Sequence, residues 1–429
     1  MEKDAPLPAA TSPAGFDSPA AALAALLERI RPLALGGQSA AGNTEVRRLR
    51  SVTGRILAEP VRAERPSPAV DVSAMDGFAV RCADLRDGVR LRIAGEVRIG
   101  VPPPPCPPGA CLRIVTGGGL PQGADAIIKV EDARENDAAI TVDAALRGAT
   151  TPGRFIRRAG ENCAEGAIVA AAGTLITPAV AAALALAGAA APKVVRPLHV
   201  GIISTGDELA NVDADVSTLQ PHQVRDANGE SLRAFLSQHR WIGALTALRV
   251  GDDPAPLRAA LQGDAGLLTR CDAILITGGV SMGPRDAVPA VLEALGVTAV
   301  FKGVPQRPGK PILAGVSADG SPVLGLPGNP LSVLVTARRF ALAALARRAG
   351  LSTAGNPIFT PAAVTLVKSD DAALPLWWHR PARLVSPGVA EVIDVRSSGD
   401  AIGAALSDGF VEVPPGAVGT GPWPWWGWM

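Results

Sequence analysis

"AILITGGVSMGPRD", residues 273 to 286, opens with five apolar or β-branched residues and breaks into two glycines, a serine, a third glycine, an arginine and an aspartate. "AVPAVLEALG" follows at helical spacing, so the stretch reads as a buried strand that passes through a glycine-rich loop into a helix. Glycine lets the backbone come close to a ligand, and a helix starting just beyond it directs free N–H groups and the positive end of its dipole at that ligand. Two other stretches have the same texture, "IISTGDEL" (202–209) and "GLPGNPLS" (325–332). The apolar runs "LHVGIIS", "ALTALRV", "AILIT" and "PVLGL" alternate with helical patterns beginning near Asn228, Pro254, Ala287 and Pro330. Residues 197–355 therefore predict a doubly wound, mostly parallel α/β domain with strands apolar on both faces. Ligands of such sheets sit outside the C-terminal strand ends, where three glycine loops on one edge point to a phosphate or oxyanion site.

Outward from this domain the texture changes twice. Residues 62–166 carry short β-type runs ("RLRIAGEV", "CLRIVTG", "AIIKVE", "AITVDA") broken by Gly and Pro clusters, the pattern of a separate β-rich domain. Residues 356–429 return to short strands and end in "GPWPWWGWM", a small C-terminal β domain whose tryptophans either complete its core or form an exposed patch. Residues 1–17 read as a disordered arm, and a helix begins at Ser18-Pro19 with leucines at helical spacing. "PAVAAALALAGAAAP" (178–192) is charge-free, but only 13 residues lie between its prolines, short of the ~20 a membrane span needs. It is expected as a buried helix with Thr177 at the cap and Pro178 at the first position.

A chain of 429 residues exceeds one ordinary core, so two to four domains are expected. Its net charge of +1 supplies no field for nucleic acid or an anionic membrane, so neither is expected as a partner and any anion must be bound locally. Five cysteines without a C-x-x-C pair and four scattered histidines argue against a disulfide framework or a zinc site. The N-terminus lacks a basic region followed by an apolar core, so a cytoplasmic location is expected.

Acidic residues cluster near the glycine loops. Asp253 before Pro254, Asp286 before the following helix and Asn329 before Pro330 all fit helix capping, whereas Glu208 in "STGDEL" has no evident cap role. Two like charges ~4 Å apart repel by about 4 kcal/mol at an effective dielectric of ~20. A site that brings two anions together must therefore supply cations, and carboxylates around a phosphate usually mean Mg²⁺. Basic groups appear in "QRPGKP", where Arg307 and Lys310 flank a Pro-Gly turn.

Six stretches in order, "DVSAMDGFAV" (71–80), "RIVTGGGLPQGADAIIKVE" (113–131), "STGDEL" (204–209), "TGGVSMGPRD" (277–286), "RPGKP" (307–311) and "GLPGNPLSVLV" (325–335), resemble the molybdopterin molybdenumtransferases of the MoeA and gephyrin E-domain family. The resemblance runs from about residue 18 to the end. It implies an elongated linking domain (18–61 and 167–196) holding the inserted β-rich domain, then the α/β molybdopterin-binding domain and a β-barrel-like C-terminal domain. It also implies the reaction: adenylylated molybdopterin and molybdate are joined with Mg²⁺-dependent cleavage of the phosphoanhydride, releasing molybdenum cofactor and AMP.

Carried over by position, the resemblance assigns catalytic acids to Asp76, Glu208, Asp253 and Asp286, with Glu208, Asp253 and Asp286 as metal ligands. Substrate binding falls to Thr116, Ser204, Thr205, Gly206, Gly278, Gly279, Ser281, Arg307, Lys310, Gly328, Asn329 and Ser332. For Asp253 and Asp286, capping and catalysis are then compatible. It implies a homodimer in which Asp76 and Thr116 complete the partner's site, and a molybdopterin adenylyltransferase as a further partner. Departures from the family pattern are Arg307 in place of a lysine, Asn162 in "GEN" in place of an aspartate, Met282 in "GVSMG", Pro284-Arg285 before Asp286, and Phe78 where tyrosine is common. They leave open a tungstate-preferring paralogue. The rival readings are an adenylyltransferase, which needs little beyond the α/β domain, and a non-catalytic scaffold of the same fold, which would not need the four acids.

Overall fold

The computed structural model describes residues 15–33, 42–281, 286–352, 356, 358–369 and 372–429. Residues 1–14 of the expected arm, and Met282, Pro284 and Arg285, lie outside the described residues. The chain divides into two compact units, one of residues 60–171 and 178–190 and one holding the remainder.

The smaller unit is built on a six-stranded sheet in which Gly77–Val80 lies between Ala126–Lys129 and Ala110–Ile114, followed by Val89–Glu96, Ala139–Val142 and Arg134–Asn136. Strand residues alternate between faces, and each face has its own core. Phe78 and Val80 pack with Leu91, Cys111 and Ile128 on one side, while Ala79 packs with Leu112, Ile114 and Ile127 on the other. Phe78 is fully buried with the Arg113 guanidinium 5.1 Å from its ring. A tyrosine hydroxyl there would need a buried partner, which accounts for phenylalanine at this departure from the family pattern. Asn162, another departure, accepts a hydrogen bond from Arg157 and donates one to Ser67 Oγ.

The expected buried helix forms at Pro178–Leu186, but only Leu184 is buried within the chain and Leu186 is 73% exposed. Alanine explains the difference, because it favours helix strongly and presents so little apolar surface that an all-alanine face can stand in water. No helix among the described residues is long and apolar enough to cross a membrane.

In the larger unit, six strands lie in the order Ile242–Val250, Leu198–Thr205, Ala273–Thr277, Pro322–Leu326, Leu313–Val316 and Thr298–Lys302. The first four are mutually parallel, and Leu313–Val316 runs against both its neighbours. Val200 and Ile202 enter the core under one layer of helices, and Ile203, Ile274 and Ile276 enter the core under the other. The edge strand Ile242–Val250 departs from the expectation of two apolar faces: most of its residues are exposed or half-buried, since an edge has a neighbour on one side only. The helix Pro19–Arg29, capped by Ser18 Oγ accepting from Ala21 N–H, places Ala22, Leu23 and Leu26 in the first of these cores.

The C-terminal residues form a closed five-stranded barrel. Trp377–Ser386 pairs with both Val389–Val392 and Gly409–Val413, and the circuit closes through Trp423–Gly427 and Ala362–Leu366. Trp425 enters the barrel core beside Val364 and Val411, and Trp426 packs with Phe410, Leu331 and Val335. The tail tryptophans therefore finish a core. One further pairing matters for the site: Gln306–Arg307 runs parallel to Trp377–Trp378, joining the Pro-Gly turn to the barrel.

Candidate active site

The ends of three adjacent parallel strands meet at the loops singled out by glycine. Gly278 and Gly279 follow Ala273–Thr277 with φ of +85° and +61°, the left-handed region that favours glycine. A β-carbon on Gly278 would come within 2.6 Å of Thr205 O and 2.7 Å of Thr205 Oγ1, so glycine is what lets the two loops close on each other. Gly328, after the third strand, lies with its β-position 3.6 Å from Gly278 Cα.

Between these loops lies a cavity of about 270 Å³, lined by Thr205, Gly206, Glu208, Gly278, Gly279, Ser281, Asp286 and Gly328, all expected from the sequence, together with Asn228 and Asp252. Among the described residues its charged lining groups are the carboxylates Glu208, Asp252 and Asp286. Asp207 Oδ1 accepts from the Asp252 N–H at 3.1 Å and so fixes the neighbouring loop. Asn228 donates to Gly328 O at 2.7 Å, while its buried Oδ1 has no partner among the described residues. A buried amide oxygen in this state is an acceptor left for a ligand.

A second cavity of about 550 Å³ adjoins the first, sharing Pro311 and Pro327 with it. Arg307, Lys310, Asn329 and Ser332 line it as expected, and the barrel adds Arg380, Arg396, Ser397 and Ser398. Among the described residues, four cationic side chains and one acidic group, Asp394, line it. Arg380 stacks 4.3 Å from the Trp378 ring centroid. The barrel is held against the α/β core by a buried cluster in which Glu412 accepts from Arg339 Nε at 2.7 Å and meets His379 Nε2 at 3.1 Å. Burial pushes the Glu412 carboxyl up, but the His379 hydrogen bond and the Arg339 charge outweigh it and hold it down at about 2. His379, itself a lining residue of the second cavity, is pushed down by burial.

Several expected positions fall elsewhere. Asp253 lines neither cavity; its Oδ1 caps the helix Pro254–Leu261 by accepting from Ala255 N–H at 2.9 Å, and it borders a small crevice beside Asp252, Thr205 and Gly279. Ser204 is buried with its Oγ near Gly229, because alternation along the strand turns it away from Thr205. The cap of helix Val288–Ala294 is Ala287 and not Asp286, since the helix starts two residues after the aspartate. Asn329 occupies its cap position, but its side chain donates to Ser398 Oγ at 2.9 Å instead of capping. In the smaller unit, Asp76 Oδ1 accepts from the Thr116 N–H at 2.7 Å and from its Oγ1 at 2.9 Å, and these bonds hold the exposed carboxyl below its usual range.

No group of three or more acidic, histidine or cysteine side chains among the described residues converges closely enough to enclose a metal ion alone. Mg²⁺ keeps few protein ligands at nucleotide sites and takes the rest from phosphate and water. The acidic cavity, open toward a cationic one, fits that mode. It does not fit a protein-only cage.

Comparison with known proteins agrees with this architecture. Residues 18–188 match the family described as MoeA N-terminal region (domain I and II), and residues 201–347 match that described as a probable molybdopterin binding domain. The chain is 35% identical over 352 residues to a molybdopterin molybdenumtransferase of Synechococcus elongatus, covering 80% of this chain and 84% of the relative. It is 34% identical over 300 residues to one of Bacillus subtilis, covering 68% of each. The fold matches a molybdopterin biosynthesis MoeA protein of Pyrococcus horikoshii at a TM-score of 0.75 and 24% identity, over 96% of this chain and 98% of that one.

Proposed function

The chain belongs to the MoeA family of molybdopterin molybdenumtransferases, and from that membership we propose that it inserts molybdate into adenylylated molybdopterin and releases AMP. The observation that carries this reading is the pair of adjoining cavities of opposite charge at one rim of the sheet. A phosphoanhydride and an oxyanion are both negative, and each needs a different kind of neutralisation. Glu208 and Asp286, with Asp252 beside them, would hold Mg²⁺ together with substrate phosphate oxygens. When bound, that ion would offset negative charge on the phosphoanhydride, whose cleavage exchanges the P–O bond to AMP for one to a water oxygen.

The remaining work falls to the protein's own groups. The backbone at Gly278 and Gly279 admits the phosphates closely, and Ser281 offers a hydroxyl to them. Lys310, Arg307, Arg380 and Ser332 bind the oxyanion in the cationic cavity. An arginine at 307 presents a planar fork where the family pattern has a point charge, so the metalate is gripped through paired N–H donors. Asn228 Oδ1 accepts from a donor on the substrate within the acidic cavity.

The active form in this proposal is a homodimer, with Asp76 and Thr116 serving the partner's site. Leu186, 73% exposed on the helix Pro178–Leu186, supports this as apolar surface that a second copy would cover. The test is turnover of adenylylated molybdopterin with and without molybdate and Mg²⁺. AMP release dependent on both supports the reading, and AMP release independent of molybdate defeats it. Light scattering that finds a fully active monomer defeats the shared site.

A further inference from the structure

A third cavity of about 450 Å³ shares no lining residue with the two site cavities. Its walls are mainly apolar, with Leu175, Trp241, Leu342 and Trp428 beside His239 and Arg338. Arg338 is only 9% exposed. Among the described residues no carboxylate pairs with it: its single hydrogen bond runs from Nε to Gly427 O at 2.6 Å, and Nη1 is buried without a partner. Its guanidinium also lies 5.1 Å from the Trp426 ring centroid. The next residue on the same helix shows the contrast, since Arg339 is equally buried but ion-paired to Glu412 at 2.7 Å.

Both arginines lie in a π-helical turn, Ala337–Ala341, an irregularity that recurs at functional sites. Burial, with Arg338 beside it, pushes His239 down to about 4, so the imidazole is neutral and Arg338 is the charged side chain of the cavity wall among the described residues. The His239 and Trp241 rings lie 5.2 Å apart, tilted by 35° to each other. An uncompensated buried cation is costly, and an apolar pocket of this size with one convergent charge has the character of a small-molecule site.

We propose that this cavity binds a small anion carried on a planar aromatic body, its carboxylate paired with Arg338 and its ring against Trp241 and Trp428. The cationic head selects the charge and the aromatic walls select the ring, so either property alone binds weakly.

The test is calorimetric titration of the full chain with 1-naphthoate, with the neutral 1-naphthalenemethanol and with inorganic phosphate. The expected result is one naphthoate per chain, with both other probes at least tenfold weaker and excess molybdate giving no competition. Arg338→Met should weaken naphthoate at least tenfold. Ser352→Trp, at an exposed lining position, should block entry and keeps the proposal falsifiable if the first variant fails to fold. Equal affinity for the alcohol, displacement by molybdate, unchanged binding in the Trp variant, or no saturable binding would each overturn it.

Discussion

The acidic and cationic cavities lie side by side but are built by different means. The acidic one is local: its groups come mainly from loops directly after four parallel strands, set by glycine conformation and one Asp207 hydrogen bond. The cationic one is assembled across the chain, with Arg307 and Lys310 meeting Arg380, Arg396, Ser397 and Ser398 through a two-residue strand pairing and a buried ion cluster. A site made from local loops tolerates changes in distant packing. A site made by docking a barrel depends on whatever holds that barrel in place.

The largest expected effect tests that dependence. Glu412→Gln leaves Arg339 buried without its countercharge and should cost about 3–5 kcal/mol, read by denaturant unfolding. Arg383→Ala breaks an exposed pair with Glu391 and should cost less than ~1 kcal/mol. Equal costs for the two would remove the distinction between the buried docking cluster and ordinary surface pairs.

Acid should act on the same cluster. Glu412 is held at about 2 against an unfolded value of 4.5, so its contribution, roughly 3 kcal/mol, is complete above pH 4.5 and is lost as pH falls toward 2. His239 is depressed from 6.5 to about 4, and the stability tied to its neutral form is lost earlier, as pH falls from 6.5 toward 4. Unfolding free energy measured from pH 7 to 3 should therefore decline in two stages. A flat profile across this range would contradict both assignments.

Asp286→Asn should lower AMP release at saturating substrate by at least ~100-fold, or about 2.7 kcal/mol, with no comparable loss of stability. Gly278→Ala should destabilise by roughly 1–3 kcal/mol, because a β-carbon meets Thr205 O and the positive φ disfavours it. The smallest effect separates capping from chemistry at Asp253. Asn caps as well as Asp, so Asp253→Asn should alter stability by only a few tenths of a kcal/mol. Any shift in its Mg²⁺ dependence would then report a role for the charge beyond the cap.

These contrasts also mark what could be read from the residues alone. The glycine loops, the parallel sheet and the placement of Glu208, Gly278, Gly279, Ser281 and Asp286 around one cavity were legible because each depends on spacing within a few residues. Arg380 and Arg396 were not, since docking of the barrel brings them to Arg307 from 73 and 89 residues away. Asp252 carried a weak signal in the doublet "GDDP", where Asp253 looked the better candidate, and Asn228 stood out only as the start of a helical pattern. The charge-free helix at 178–186 was read as buried because hydrophobicity scales cannot tell an alanine face in water from one in a core.

The division of labour between the two cavities is tested most directly by one steady-state experiment. AMP release is measured while Mg²⁺ and molybdate are varied independently, for the parent chain, Asp286→Asn and Arg380→Met. The account predicts that Asp286→Asn weakens apparent Mg²⁺ affinity at least tenfold with molybdate affinity preserved, and that Arg380→Met does the reverse. Parallel loss of both affinities in both variants would contradict it.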